Sequence, residues 1–271
     1  MKVNFRSLAW GFAVIVALSL ALFLRVGESP VFAEIPQSDL PEARGLFLKA
    51  AENYDAEEFQ SAVEIYEQLI GSGYMNGNVF YNLGNACLEN DSLGQAILNY
   101  EKASILIPGD SDLLTNYAYA RSLIKQEDTP EGRILILKFL DEVFAKMTIS
   151  VIMSIFFLLY FGLVIYIIFS KIFKKTVFLS NAAIIVWVLV LTAVVLPLKY
   201  RMWDMETGAI VTTRITDARF EPQDDAMPHF PLYEGMKINI VREYGEWYRI
   251  TRRDGRIGWV KRSDISKIIP L

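Results

Sequence analysis

The sequence predicts a multidomain membrane protein with three parts: an all-α helical array, a two-helix transmembrane hairpin and a small all-β barrel. Three observations lead to this prediction. Of the 271 residues, 53% are hydrophobic, and many of them lie in long uncharged runs that suit a bilayer. Small and aromatic residues recur with a period of about 34 residues in the N-terminal half. The C-terminal part instead alternates short β-forming runs with turn residues.

The N-terminal residues 1–33 have the layout of an export signal. Lys2 and Arg6 precede an apolar run, and Val31 and Ala33 place small residues just before a cleavage point. A cleaved signal peptide and an uncleaved N-terminal signal anchor both fit this pattern. Either one places the following residues outside the cytoplasm.

The region 40–128 matches the tetratricopeptide repeat (TPR), a helical hairpin that stacks into a solenoid. One period before the best match, Ala62 and Tyr66 repeat two of its positions. The small residues let neighbouring helices approach, and a proline ends the second helix. The sequence therefore predicts an all-α TPR solenoid of two hairpins and a capping helix. The positions of the best match, counted from Gly77, are Phe80, Leu83, Gly84, Ala96, Tyr100, Ala103 and Pro108.

Solenoids of this kind bind partners on their concave face. Residues 34–131 contain 17 acidic and five basic side chains, which disfavours nucleic acid as a partner. A groove for a partner's peptide or helix and simple packing between helices both remain open for the candidate side chains. The predicted partner-binding residues are Asn78, Tyr81, Asn85, Leu88, Asp112, Thr115 and Tyr119.

Two uncharged runs, 149–170 and 176–198, are each long enough to cross a bilayer. Lys171, Lys174 and Lys175 lie between them and favour a cytoplasmic loop. The runs contain no charged residue, which favours an anchor over a transporter. The expected location is the bacterial inner (cytoplasmic) membrane, with both flanking regions on the periplasmic or extracytoplasmic side.

The segment 133–147 has apolar and charged residues at helical spacing. It predicts an amphipathic juxtamembrane helix. Its apolar face suits either the membrane surface or the helical array.

The region 207–268 contains short β-forming runs separated by the turns Glu234-Gly235, Tyr244-Gly245 and Asp254-Gly255. A long proline-containing connection, 214–233, follows the first run. Five short strands with a long first loop predict an all-β SH3-like barrel. The phrases Gly-Glu-Trp-Tyr-Arg-Ile and Asp-Gly-Arg-Ile-Gly-Trp-Val resemble those of bacterial SH3-like domains.

A ligand face on this barrel would comprise Tyr233, Trp247, Tyr248 and Arg249. The alternative is that the tryptophans belong to the core and that the barrel is a docking or spacing element. A basic cluster nearby could face anionic lipid or the acidic helical region. It consists of Arg249, Arg252, Arg253, Arg256, Lys261 and Arg262.

Catalytic chemistry has little support in the sequence. Cys87 and His229 are the only residues of their types, and no phosphate loop or nucleophile elbow is present. We therefore expect no enzyme activity, no catalytic residues, no metal site and no cofactor.

The order of the parts, together with Asn-Val-Phe-Tyr-Asn-Leu-Gly-Asn-Ala at 78–86 and Leu-Gly-Gln-Ala-Ile-Leu-Asn-Tyr-Glu-Lys-Ala at 93–103, resembles the BatE-like members of the aerotolerance-operon (Bat) family. The resemblance implies a complex with von Willebrand-factor-A-type Bat proteins and a MoxR-type ATPase, acting in envelope stress tolerance or complex assembly. The predicted function is a non-enzymatic, membrane-anchored protein–protein interaction scaffold in the bacterial cell envelope. The alternative is a cell-wall (peptidoglycan) recognition protein that uses the SH3-like domain while the TPR region recruits a partner enzyme.

Overall fold

The computed structural model of the protein describes residues 40–125, 147, 149–172 and 177–269. The predicted export signal, residues 1–33, lies outside the described residues. So does the predicted amphipathic helix 133–147, except for Met147.

The first part of the described chain is a set of five helices, each packed against the next along the chain. Two longer helices follow and pack against each other. The seven helices are α1 (Leu40–Asp55), α2 (Phe59–Gly71), α3 (Gly77–Glu89), α4 (Leu93–Leu106), α5 (Ser111–Ser122), α6 (Ile149–Ile172) and α7 (Val177–Thr207).

The close contact between α3 and α4 depends on one glycine. A Cβ on Gly84 would lie 2.7 Å from the Tyr100 ring, closer than carbon atoms can approach. Tyr100 is fully buried and fills the space between the two helices. Asn76 caps α3, because its side-chain oxygen accepts the Val79 N–H at 2.9 Å.

The two apolar runs form α6 and α7, which approach closely where Gly162 meets the Trp187 ring. Across the described part of the chain, however, no helix combines the length and apolarity that a membrane crossing requires. The predicted two-helix transmembrane hairpin is therefore wrong. α7 also differs in length from the predicted span 176–198. The helix continues past Pro197 into a charged segment, where Asp204 bonds to the neighbouring strand residue Lys237.

A seven-stranded antiparallel sheet follows α7. A short 3₁₀ turn, Arg262–Asp264, precedes the last strand. The order across the sheet is β3-β2-β6-β5-β4-β1-β7. The strands are β1 (Gly208–Val211), β2 (Ile215–Arg219), β3 (Pro228–Tyr233), β4 (Lys237–Tyr244), β5 (Trp247–Arg252), β6 (Ile257–Lys261) and β7 (Ile265–Lys267).

The long connection expected at 214–233 instead contains the hairpin β2–β3. Prolines at 228 and 231 disfavour a strand, because proline cannot donate to a sheet ladder. They are tolerated here because β3 lies at the edge of the sheet and pairs only with β2. The sheet therefore has seven strands instead of the five predicted.

One hydrophobic core joins the first five helices to the sheet. It extends from helical residues such as Leu83 and Ile97 to strand residues such as Ile238 and Ile250. The predicted fold class is therefore wrong. A TPR solenoid and an SH3-like barrel joined by a membrane hairpin would each have a core of its own. The described chain is a mixed α and β fold in which helices and sheet are packed together.

A polar junction lies where α4, α5, α7 and β4 meet. Lys237 Nζ donates to Glu101 Oε2 at 3.0 Å and to Asp204 Oδ2 at 2.7 Å. The Tyr117 hydroxyl donates to the other oxygen of Glu101, and Asn239 Nδ2 donates to Asp204 Oδ1 at 3.1 Å. These bonds join the helices to the sheet beside a cavity of about 30 Å³.

Candidate functional site

The predicted partner-binding residues of α3 share one side of that helix. Asn78, Tyr81, Asn85 and Leu88 recur at intervals of three and four residues, which places them on the same face. Asn78 is exposed, whereas the other three are half-buried. The face is therefore partly covered by neighbouring helices and partly open to solvent.

The predicted residues of α5 also share one face. Asp110 caps this helix, because its carboxylate accepts the N–H groups of Asp112 at 3.1 Å and Leu113 at 2.9 Å. Asp112, Thr115 and Tyr119 follow at helical spacing and are all exposed. Asn116 lies on the same side of the helix, towards α3.

Asn116 connects the two helices. Its Nδ2 donates to the Tyr81 hydroxyl at 2.9 Å and to Asn85 Oδ1 at 3.1 Å. The Tyr100 hydroxyl also donates to Asn85 Oδ1, at 2.7 Å. Burial raises the pKa of Tyr100, which keeps this hydroxyl a donor. We call the surface formed by Tyr81, Asn85, Asn116 and Tyr119 the α3–α5 face.

Asn116 and Tyr100 were not among the predicted site residues. The spacing of residues indicates that the Tyr100 ring is buried. It does not predict the hydrogen bond that the Tyr100 hydroxyl donates to Asn85. Asn116 could have been found, because it lies four residues after Asp112 and three before Tyr119.

The exposed end of the α3–α5 face is apolar. Tyr119 is 58% exposed, and Leu123, one turn later and just beyond α5, is 47% exposed. Large side chains with this exposure, next to a polar cluster, provide contact area for another protein. Leu88 packs against the shared core instead and contributes less to the surface.

Asn78 lines a separate groove at the start of α3. The groove has a volume of about 270 Å³. Arg44 and Phe47 from α1 and Tyr74 from the turn before α3 also line it. The structure therefore separates Asn78 from the cluster around Asn116.

The four predicted ligand-face residues of the sheet do not form one surface. Trp247 and Tyr248 are neighbours on β5, so their side chains point to opposite faces. Each is only 8% exposed. Tyr233 is half-buried against the shared core, and Lys125 lies 5.2 Å from its ring centre. Arg249 is the exposed member of the set.

Basic side chains cover both β5 aromatic residues. Lys261 lies 5.6 Å from the ring centre of Trp247. Arg262 and Lys267 lie 4.7 and 5.4 Å from the ring centre of Tyr248. Direct access of a ligand to either ring would require these side chains to move.

The ion pairs between the helices and the sheet involve residues that do not belong to the predicted basic cluster. Lys237 bonds to Glu101 of α4, and Arg214 bonds to Asp91 at 2.9 Å. Within the cluster, Arg252 pairs with Asp254 instead. The sheet therefore meets the acidic helical region through Lys237 and Arg214, and Arg253 of the predicted cluster lines the same cavity as Glu101 and Lys237.

The comparisons with known proteins identify no family for the chain: no protein-family model matches it, and no curated protein shows significant similarity to it.

Proposed function

We propose that the protein is a non-enzymatic scaffold whose α3–α5 face binds a segment of a partner protein. One observation carries this proposal: Asn116 bonds to Tyr81 and Asn85 and so makes one continuous surface of two helices. Such a surface holds a polar centre next to the exposed ring of Tyr119. This combination suits the recognition of another protein.

The amides of Asn85 and Asn116 have unused hydrogen-bonding capacity. Asn85 Oδ1 and Asn116 Nδ2 are engaged with each other. In the described part of the chain, no buried side-chain polar atom lacks a partner. Asn85 Nδ2 and Asn116 Oδ1, for which no protein partner is seen, therefore face solvent. A donor beside an acceptor can bond to the backbone of a peptide.

The charge around the face defines the kind of segment that it would accept. Asp112 is exposed on α5, and acidic side chains predominate in the helical region. Tyr119 and Leu123 provide apolar contact. The preferred segment would therefore carry basic residues beside aliphatic or aromatic ones.

The resemblance to Bat proteins supplies candidates for the partner. We propose a von Willebrand-factor-A-type Bat protein, acting with a MoxR-type ATPase in envelope stress tolerance or complex assembly. The N-terminal pattern at 1–33 supports a location on the extracytoplasmic side of the cell envelope.

Binding of the full-length chain to the A-type Bat protein of the same cells tests this proposal. We expect the double variant Asn116→Ala, Tyr119→Ala to weaken the measured Kd by about tenfold or more, since aromatic anchors dominate interface energies. Leu48→Ala is the matched control, because Leu48 is an exposed apolar residue (52%) on α1.

Unchanged affinity of the double variant, or loss of binding in the Leu48→Ala control as well, would contradict the assigned face. Absence of binding by the wild-type chain would contradict the assigned partner. Circular dichroism of each variant distinguishes lost contacts from lost folding.

A further inference from the structure

Three arginines and a tryptophan form a row across the outer side of the sheet. In the strand register, Arg242 of β4 is opposite Arg249 of β5, and Arg249 is opposite Trp259 of β6. Trp259 is in turn opposite Arg219 of β2. The row therefore crosses four strands perpendicular to their direction.

The pair Arg242–Arg249 is electrostatically unfavourable. Like charges placed directly opposite each other destabilise a sheet, and both side chains are exposed. Within the described ranges, neither has an acidic partner. Nearby basic side chains are paired, in contrast: Arg252, Arg256, Lys261, Arg262 and Lys267 each have an acidic partner.

Aromatic rings lie beside the arginine pair. Tyr244 is 62% exposed, and its ring meets the ring of Trp259 edge to face, with centres 6.2 Å apart. Trp259 is itself half-exposed. The two arginine side chains without an acidic partner therefore lie beside two accessible aromatic rings.

We propose that this surface, which we call the arginine–tryptophan face (Arg242, Arg249, Tyr244 and Trp259), binds an acidic peptide segment of a partner protein. A carboxylate between Arg242 and Arg249 would remove their mutual repulsion and form charge-assisted hydrogen bonds. An adjacent apolar side chain of the peptide would pack against Tyr244 and Trp259.

The surroundings of the face favour a peptide over a nucleic acid strand. The two rings meet edge to face, whereas stacked bases require open, parallel ring surfaces. Asp217, two residues before Arg219 on β2, is exposed on the same side of the strand. Asp224 neutralises Lys261 at 2.5 Å. Asp217 would repel a continuous phosphate backbone, and the neutralised Lys261 would not attract one, whereas one or two peptide carboxylates need to reach only Arg242 and Arg249.

This surface is separate from the α3–α5 face, which lies on the helices. The partner chemistry is also opposite, because the α3–α5 face suits basic segments. Failure of either proposal would therefore leave the other standing.

Fluorescence anisotropy with the full-length chain tests the inference. The probe is a labelled peptide with two glutamates flanking a leucine, and the reference peptide carries glutamines instead. We expect the glutamate peptide to bind at least about tenfold more tightly, with an affinity that falls as salt is raised.

The variant Arg249→Gln gives the sharper test. We expect it to weaken binding of the glutamate peptide about tenfold or more and, at the same time, to raise the thermal unfolding midpoint, because the repulsion with Arg242 is removed. The matched control is Arg256→Gln. It changes the net charge equally, but Arg256 lies outside the row and is paired with Asp254.

Four outcomes would overturn the inference. The first three are equal binding of the two peptides, equal loss in the Arg256→Gln control, and tighter binding of a single-stranded oligonucleotide than of the glutamate peptide. Sedimentation with purified cell wall that Arg249→Gln abolishes, without glutamate-peptide binding, would also overturn it in favour of a wall ligand.

Discussion

The carboxylate of Glu234 accepts a hydrogen bond of 2.9 Å from the backbone N–H of Gly94, although 140 residues separate the two. Gly94 lies in the first turn of α4, where N–H groups have no partner within the helix. The cap residue Ser92 provides no side-chain hydrogen bond to this turn. A residue of the β3–β4 turn therefore caps a helix that packs against the sheet.

Replacing Glu234 should destabilise the protein through this cap. We expect Glu234→Ala to lower the free energy of unfolding by about 1 kcal/mol, the usual cost of a lost N-terminal cap. Glu234→Gln should cost less, because an amide oxygen can still accept the bond while the favourable charge at the helix N-terminus is lost. Urea denaturation of wild type, Glu234→Ala and Glu234→Gln measures the order of their free energies of unfolding. Equal stability of wild type and Glu234→Ala would show that the bond contributes nothing.

Gly94 should tolerate no side chain. A Cβ there would lie 2.7 Å from the Val211 carbonyl oxygen and 2.9 Å from Thr212 Cα. Both are backbone atoms, so α4 would have to move away from β1. We expect Gly94→Ala to destabilise by about 1–3 kcal/mol, the range for overpacking.

The matched control for that variant is Gly45→Ala in α1. No atom lies within 4 Å of a Cβ at Gly45. Alanine is favoured over glycine in a helix interior by about 0.5–1 kcal/mol, so this control should become more stable. Equal effects of the two substitutions would contradict the close approach of α4 to β1.

Local features of the fold could be predicted from the sequence. The turn glycines Gly235, Gly245 and Gly255 all have positive φ, which other residues adopt rarely. The β-forming run that starts at Lys237, after the turn Glu234-Gly235, forms β4 from its first residue. The residues 91–94 have the composition of a turn between two helices, and α4 begins inside this segment, at Leu93. These features depend on residues close together in the chain.

Long-range features could not be predicted in this way. Glu101 and Lys237 each look like ordinary surface charges, and nothing in a spacing pattern places residues 136 apart in contact. The contacts between α7 and the sheet could not be predicted from the uncharged run either. The length of an uncharged run does not indicate that α7 continues to Asp204 and packs against the sheet. The row of Arg242, Arg249 and Trp259 likewise depends on strand register, including a bulge in β4.

The polar junction should make stability depend on pH at the acid end. Burial would raise the pKa of Asp204, but the charge and hydrogen bond of Lys237 outweigh burial and hold the pKa below its ordinary value of 3.8. A lowered pKa contributes stability above the unfolded value, and this contribution is lost as pH falls through the folded value. We expect Asp204→Asn to flatten the loss of stability below about pH 4. Equal acid dependence of the variant and wild type would contradict this.

Removing the positive charge of Lys237 from the polar junction should destabilise the protein more than Asp204→Asn does. Burial alone would lower the pKa of Lys237, but Glu101 and Asp204 raise it above 10.5, so the ammonium is retained until strongly alkaline pH. Lys237→Met would leave the two largely buried carboxylates, Glu101 and Asp204, without the ammonium that donates to both of them. We expect a loss of about 3–5 kcal/mol near neutral pH. Lys267→Met, at an exposed pair with Glu243, is the control and should have little effect.

Cys87 provides a direct probe of the core between α3 and α4. Its side chain is 3% exposed, and burial raises the pKa of the thiol to about 12. The reactive thiolate is therefore scarce in the folded protein, and a reagent can reach the sulfur only when the helices open. At about pH 8 we expect a thiol reagent to modify Cys87 at least about a hundredfold more slowly than the thiol of the urea-unfolded chain.

The control is a Cys87→Ala, Ser122→Cys double variant, which places the thiol at an exposed position of α5 and should react at the unfolded rate. Rapid modification of Cys87 in the native protein would contradict the tight packing of Gly84 against Tyr100 beside it. Faster labelling in Gly94→Ala than in Gly45→Ala would further connect this core to the contact of α4 with the sheet.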